Sequence, residues 1–291
     1  MQVGRYQIHE TLGVGAYSRV MRGHDPLIDR SVAIKLFSPD LARGDARNLF
    51  LREARVVGKL SHPAIITVHD MGIEESTQTP YLVMEMVEGQ SLEKTISKGS
   101  VPYPTACEWA AHVADALSVA HRRSVIHGDI KPANILITNE NRVKLTDFGM
   151  ARLASHQTDS AVRGTPAYWC PEQILGRAQD ARSDIFSLGV VLHEMLTGLN
   201  PFAGESIPTV CNQILSSTPL PPSRSNPSIP TALDDIVTAC LTKEPQLRFS
   251  SAELLAERLY PFARRKQTPS QSVAGPEPSL RSRASRLLRS A

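Results

Sequence analysis

Long apolar runs are absent from this sequence of 291 residues. Its longer stretches, such as Tyr81–Met84 and Val190–Leu192, fall far short of the roughly 20 residues that cross a bilayer, so no integral membrane segment is expected. Met1–Glu10 has no apolar core of the kind a secretory leader carries. Cysteine is scarce. Cys107, Cys170, Cys211 and Cys240 form no CxxC pair and no zinc-ligand spacing, which argues against a disulfide framework or a structural zinc site. A reduced, cytoplasmic chain is the expectation. A dominant charge of one sign is lacking too, with 32 Lys and Arg against 29 Asp and Glu. Seven of those cations (Arg264, Arg265, Lys266, Arg281, Arg283, Arg286, Arg289) follow Ala263, where Glu277 is the one acid. Setting them aside leaves 25 basic and 28 acidic residues in the body, so a nucleic-acid partner is not expected.

What is present suffices for a sizeable core, as one large domain or two lobes, since 41% of the residues are hydrophobic. The first part of the chain reads as strands over Tyr6–Leu12, Arg19–His24 and Ser31–Phe37. A helix is expected over Asp45–Leu60, with the stripe Leu49, Phe50, Ala54, Val57 and Leu60. Strands Ile66–Gly72 and Tyr81–Val87 follow, and a hinge near Glu85–Gly89. Beyond it the periodicity turns helical over Thr105–His121, Asp184–Thr197, Thr231–Leu241 and Ser250–Tyr260, and Thr218–Pro230 reads as a proline-rich loop. From about Gln267 the chain is rich in Ser, Pro and Arg and is expected to be disordered.

The chemistry begins with Gly13-Val14-Gly15-Ala16-Tyr17-Ser18-Arg19-Val20 between two strands. Glycines let backbone N–H groups approach phosphate oxygens. A dinucleotide fingerprint needs a third glycine, a following helix and a distal acid; here Ser18, a strand and Val32-Ala33-Ile34-Lys35 stand in those places. Glu53 falls on the apolar stripe of the next helix, and a lone buried carboxylate requires a cation, so a Lys35–Glu53 pair is expected. The densest signal is His127-Gly128-Asp129-Ile130-Lys131-Pro132-Ala133-Asn134, followed by Asp147-Phe148-Gly149. It supplies an acid to orient an attacking hydroxyl, an acid and an amide to hold a divalent cation, and an ammonium to offset developing charge, which is the inventory of phosphoryl transfer.

From about Tyr6 to Phe262 these motifs, in order, resemble the protein-kinase superfamily. His62-Pro63-Ala64-Ile65-Ile66 and Gly164-Thr165-Pro166-Ala167-Tyr168 resemble its bacterial, eukaryotic-like serine/threonine members. The resemblance implies an α+β, two-lobed fold over residues 1–266. A small β-rich N-lobe would span about 1–86 and a larger helical C-lobe about 90–266, with a basic tail over 267–291. It implies ATP-dependent phosphorylation of serine and threonine hydroxyls on protein substrates, autophosphorylation included, with Mg²⁺ or Mn²⁺. Leu12, Gly13, Val14, Gly15, Val20, Ala33, Lys35, Met84, Glu85 and Met86 would then hold the cofactor. Asp129 would be the base, with Lys131 on the transferring phosphate, Lys35 and Glu53 paired near the α/β-phosphates, and Asn134 and Asp147 on the metal. Thr165 would contact the loop of Asp129, Glu172 would pair with Arg248, and Asp184 would brace that loop.

Two residues depart from the pattern: Gly128 replaces the usual Arg before the base, and Cys170 the usual Ala before Pro171-Glu172. His-Gly-Asp with an Asn five residues after the Asp also resembles small-molecule kinases of the aminoglycoside and choline type. Gly164–Glu172 and Ser183–Gly189 favour the protein kinases. A pseudokinase scaffold would need a missing catalytic group, and Lys35, Glu53, Asp129, Asn134 and Asp147 are all present. The tail sets Ser282 and Ser285 among arginines, so it is substrate-like, suited to acidic surfaces, or simply solvated.

Overall fold

The computed structural model describes residues 2–15, 18–42, 44–148 and 165–263. Its N-terminal part is a six-stranded antiparallel sheet in the order β1-β2-β3-β4-β6-β5. The strands are β1 (Gln2–Val3), β2 (Tyr6–Val14), β3 (Ser18–Asp25), β4 (Arg30–Phe37), β5 (Val68–Glu74) and β6 (Thr79–Glu85). Side chains alternate across the sheet. Met21, Val32, Ile34 and Val83 pack with Tyr6 and Ile8 on one face. Ala33, Phe37, Leu82 and Met84 pack on the other against Phe50 and Ala54 of helix α1 (Gly44–Val57). Gly58 follows the helix, three residues short of the expected end at Leu60.

The C-terminal part is mostly helical: α2 (Leu92–Ile96), α3 (Tyr103–His121), α4 (Pro171–Ile174), α5 (Ala181–Thr197), α6 (Ile207–Ser216), α7 (Pro222–Ser225), α8 (Thr231–Cys240) and α9 (Ala252–Leu259). A second sheet, β7 (Gly89–Ser91), β8 (Ile135–Thr138) and β9 (Val143–Leu145), buries Ile135, Ile137, Val143 and Leu145 in the core of this part. Helix α5 is buried almost all round, because Ile185, Phe186, Leu188, Val190, Val191, Leu192, Met195 and Leu196 leave it no polar face. Asp180 caps its start and left-handed Gly198 ends it. Gly189 admits α8 closely, since a Cβ there would stand 2.4 Å from the Cβ of Cys240. The two parts join through backbone, with Leu145 N–H donating to Ala64 O at 2.7 Å and Ile66 N–H to Leu145 O at 2.9 Å. No described helix is long and apolar enough to cross a membrane.

Several short elements escape the periodicity of the sequence, among them α2, α4, α6 and α7. Helix α6 buries only Val210 and Ile214, too few to mark a stripe, and is set by Ser206 accepting from Thr209 N–H with Pro208 in the first turn. Helix α7 is a single turn inside the proline-rich stretch, where Pro222 opens it and the Ser223 N–H and hydroxyl both donate to Asp234.

A buried ion pair ties the two ends of this helical part together. Arg248 donates to both carboxylate oxygens of Glu172, at 2.8 and 2.9 Å. Its remaining donors reach the carbonyls of Thr242, Arg182 and Lys243 at 2.8, 2.9 and 3.0 Å, so all five guanidinium N–H groups are used. Burial alone would raise the Glu172 carboxyl, but Arg248 and the Ser183 hydroxyl hold it down at about 2. A depressed carboxylate contributes stability above its unfolded value and loses it as pH falls through the folded one. This pair therefore weakens between about pH 4.5 and 2. Arg248→Met, which strands Glu172, is expected to lower unfolding free energy by about 3–5 kcal/mol, read by urea denaturation at pH 7.

Candidate active site

The loop from His127 to Asn134 is built from the inside outward. His127 is fully buried against Phe148, with ring centroids 4.6 Å apart. Its Nδ1 accepts the N–H of Asp129 at 3.2 Å, so the ring proton lies on Nε2, which donates to Thr146 O at 2.8 Å. This links the loop to the strand end that carries Asp147. Beneath it sits Asp184 of α5, 1% exposed. One oxygen accepts the Gly128 N–H at 2.8 Å, and the other accepts the His127 N–H at 2.9 Å and meets His121 Nε2 at 2.8 Å. Gly128 adopts φ +74°, the left-handed region that glycine enters without penalty. The expected brace is therefore present, and Gly128 is suited to it by backbone conformation.

Asp129 stands at the loop's crest. Lys131 Nζ and Asn134 Nδ2 donate to its Oδ2 at 2.7 and 2.9 Å, and Asn134 Nδ2 also reaches the Asp129 carbonyl at 2.8 Å. Its Oδ1 accepts no hydrogen bond among the described residues. The same bonds turn Asn134 so that its amide oxygen is left for a cation. That oxygen with the Asp147 carboxylate makes a hard-oxygen set that fits Mg²⁺ or Mn²⁺. Among the described residues no group of three or more acidic, His or Cys ligands forms a protein cage.

Asp147 adopts φ +68°, which a short polar side chain tolerates. Its Oδ2 lies 2.7 Å from Lys35 Nζ. Burial works against the charged form, but the Lys35 ammonium wins and holds the carboxyl below its ordinary value. The Lys35–Glu53 pair expected from the sequence is not among the ion pairs of the described residues. Glu53 is buried, as its place on the stripe implied, with Arg52 3.6 Å away. Lys35 has more than one carboxylate to choose from, and spacing along the chain could not rank them.

Register explains how the sheet contributes. Gly13 pairs with Val20, Val20 with Lys35, and Lys35 with Leu82; two residues along β4, Ala33 pairs with Met84. Directly paired residues share a face, so Val20, Ala33, Lys35 and Met84 look toward the same side. A Cβ on Gly13 would meet nothing within 4 Å, leaving room above it for a phosphate, and Leu12 and Val14 are exposed. Gly15 N–H donates to Ser18 O at 2.8 Å; Ala16 and Tyr17 lie outside the described residues. The hinge is Met86–Glu88, between β6 and β7. Met86 and Val87 N–H find no acceptor among the described residues, whereas Glu85 N–H donates to Thr67 O at 2.9 Å. The Glu85 side chain turns to Thr67 N–H and Lys144 Nζ, at 2.7 and 2.6 Å.

The segment after Thr165 is pinned to α5: Tyr168 OH donates to Glu194 and Ser187 OH to Tyr168 O, each at 2.7 Å. Thr165 itself is exposed and makes no hydrogen bond to Asp129 or Lys131 among the described residues. Gly149 and Gly164 lie outside the described residues, as do Arg152, Ser155, Thr158, Ser160 and Arg163.

The site thus combines a buried acid bracing the loop, a glycine hairpin beside the lysine strand, and Asn134 and Asp147, whose side-chain oxygens are of the kind a divalent cation takes. The model of the protein kinase domain family matches residues 6–260. The serine/threonine-protein kinase PknB of Mycobacterium leprae is 41% identical over 256 residues, covering 85% of this chain and 41% of that protein. A probable PknB of Corynebacterium glutamicum is 39% identical over 268 residues, 88% of this chain and 42% of its own. The crystal structure of the Mycobacterium tuberculosis PknI kinase domain superposes with a TM-score of 0.73 at 26% identity, covering 90% of this chain and 98% of that one. The chain belongs to the protein kinase domain family, with the two-lobed α+β fold of that family. It spans about two fifths of the length of the curated relatives it matches.

The left-handed conformation at Gly128 sets a test. Gly128→Ala is expected to cost roughly 1–2 kcal/mol in the loop, and Gly128→Asn less, because Asn visits that region more readily. Urea unfolding together with initial rates checks this; equal losses for both variants would show that backbone conformation is not what selects glycine.

Proposed function

We propose that this chain phosphorylates serine and threonine hydroxyls of proteins at the expense of ATP, with Mg²⁺ or Mn²⁺. The observation that carries the reading is the juxtaposition of Asp129, Lys131 and Asn134 on one loop with the Lys35–Asp147 pair. Asp129 Oδ2 is occupied by Lys131 and Asn134, which leaves Oδ1 to take the proton of the substrate hydroxyl. As the substrate's hydroxyl oxygen bonds to the γ-phosphorus, the bond from that phosphorus to the ADP oxygen breaks, and Lys131 stands beside the acid to offset the charge that develops. A divalent cation on Asn134 and Asp147 would supply positive charge to the β- and γ-phosphate oxygens. Asp147 would then engage Lys35 less, and Lys35 could serve the α/β-phosphates with Glu53 as its pair. Val20, Ala33 and Met84 suit an apolar adenine, with the open N–H groups of Met86 and Val87 at its edge. Glu172–Arg248 and Tyr168–Glu194 hold a rigid shelf beyond Thr165, which favours a peptide over a small-molecule acceptor. Four free cysteines, three of them buried, suit the cytoplasm.

Lys35→Met, Asp129→Asn and Asp147→Asn are each expected to remove nearly all phosphate transfer to a generic protein substrate while the far-UV circular dichroism stays that of the parent. An Asp129→Asn variant with turnover near the parent's would overturn the assignment of the base.

Phosphate on Ser155, Thr158 or Ser160 would find no cation at position 128 to clamp it, where a family Arg would supply one. Phosphorylation of that segment is therefore expected to change the rate by less than about tenfold, equivalent to roughly 1.4 kcal/mol of barrier. Protein co-expressed with a phosphatase, shown bare by mass spectrometry, should begin at close to its final rate; a climb well past tenfold as phosphate accumulates would sink this.

A further inference from the structure

We propose that the basic segment beginning at Arg264 docks on this chain's own surface, in a cleft behind the hinge. The cleft has a volume of about 630 Å³ and lies between the hinge, the β8–β9 hairpin and α3. Its wall includes Glu85 and Glu88 from the hinge, Glu140 from the hairpin, and His112 and Asp115 from α3. The described chain leaves the fold at this wall. The Tyr260 hydroxyl donates to Asp115, and the Tyr260 ring stands edge-on to His112 with centroids 6.2 Å apart. Tyr260–Phe262 is a tight 3-10 turn and Arg264 follows Tyr260 by four residues, so Arg264, Arg265 and Lys266 leave the fold close to this wall.

The charges are complementary. Lys144 is committed to Glu85 at 2.6 Å, and Arg142 reaches Glu140 at 3.5 Å with both side chains mostly in solvent. Glu88 and half-buried Asp115 have no cation within ion-pairing distance among the described residues. Residues 264–291 carry seven cations and one acid. Single exposed ion pairs are weak, but a tethered segment offers several at high effective concentration. Because one wall of the cleft is the hinge itself, an occupant restrains the backbone of Met86–Glu88.

Lys266 is the one lysine beyond Ala263, which makes zero-length carbodiimide cross-linking of the 291-residue chain diagnostic. At low salt an amide from Lys266 to Glu88, Asp115 or Glu140 is expected, within one chain when ¹⁵N-labelled and unlabelled protein are mixed. It should fade in 0.5 M NaCl, where the screening length shrinks to about 4 Å. Hydrogen exchange at Met86–Glu88 should be about threefold or more faster in an Arg264→Glu, Arg265→Glu, Lys266→Glu variant, with α5 amides unchanged. Absence of these cross-links, cross-links only between chains, or equal hinge exchange in the two proteins would each overturn the proposal. Neither readout depends on phosphotransfer, so the outcome stands apart from that of the proposed activity.

Discussion

The carboxylate of Asp184, buried in the core of the helical lobe, is what the rest of the site hangs from. An unpaired charge there would cost several kcal/mol. Asp184 avoids that by accepting two consecutive backbone N–H groups, from His127 and Gly128, and by facing His121. Both N–H groups can point to one carboxylate only if the chain between them turns sharply, and Gly128 takes the left-handed conformation that does this. Helix α5, buried along most of its length, fixes Asp184 by apolar packing together with the hydrogen bonds of Ser183, Ser187 and His193. The position of Asp129 is thus referred to a buried helix of the core, through hydrogen bonds.

The opposite wall is positioned by a sheet. Lys35 sits in the register row of Val20 and Leu82, on the same face as Ala33 and Met84. Its ammonium meets Asp147, which lies just past β9, and β9 is itself joined by backbone hydrogen bonds to Ala64 and Ile66. Two short connections, one ionic and one through the backbone, therefore align the lysine strand with the Asp129 loop. The first involves a carboxylate that a divalent cation would also seek, so this alignment is open to adjustment by ligand; the second is not.

Glu85 gives the hinge two sides with different chemistry. Its side chain and backbone N–H are spent on Thr67 and Lys144 at the rear. The neighbouring Met86 and Val87 keep their N–H groups for the front. A segment three residues long, Met86–Glu88, thus has open backbone N–H groups on one side and a cleft lined by Glu85, Glu88, Glu140 and Asp115 on the other.

Much of this was legible in the sequence. The strands carrying Gly13, Lys35 and Met84, the buried placement of Glu53, and the helices α3, α5 and α9 within a few residues were expected from periodicity, whereas the Glu172–Arg248 and Asp184 contacts were expected only from the resemblance to the protein-kinase superfamily. Periods of 2 and 3.6 are short-range information, and buried carboxylates need partners wherever they occur. Other features were settled only by tertiary structure. Helix α6 buries too few side chains to show a stripe, α7 hides among prolines, and Thr165 is exposed. The choice of Asp147 as the carboxylate at Lys35, the left-handed turn at Gly128, and the convergence of Asp115, Glu88 and Tyr260 around one cleft all depend on distances between residues far apart in the chain. Local pattern determines which side chains are buried or charged; only the packing of elements decides which of several suitable partners comes within reach of a hydrogen bond.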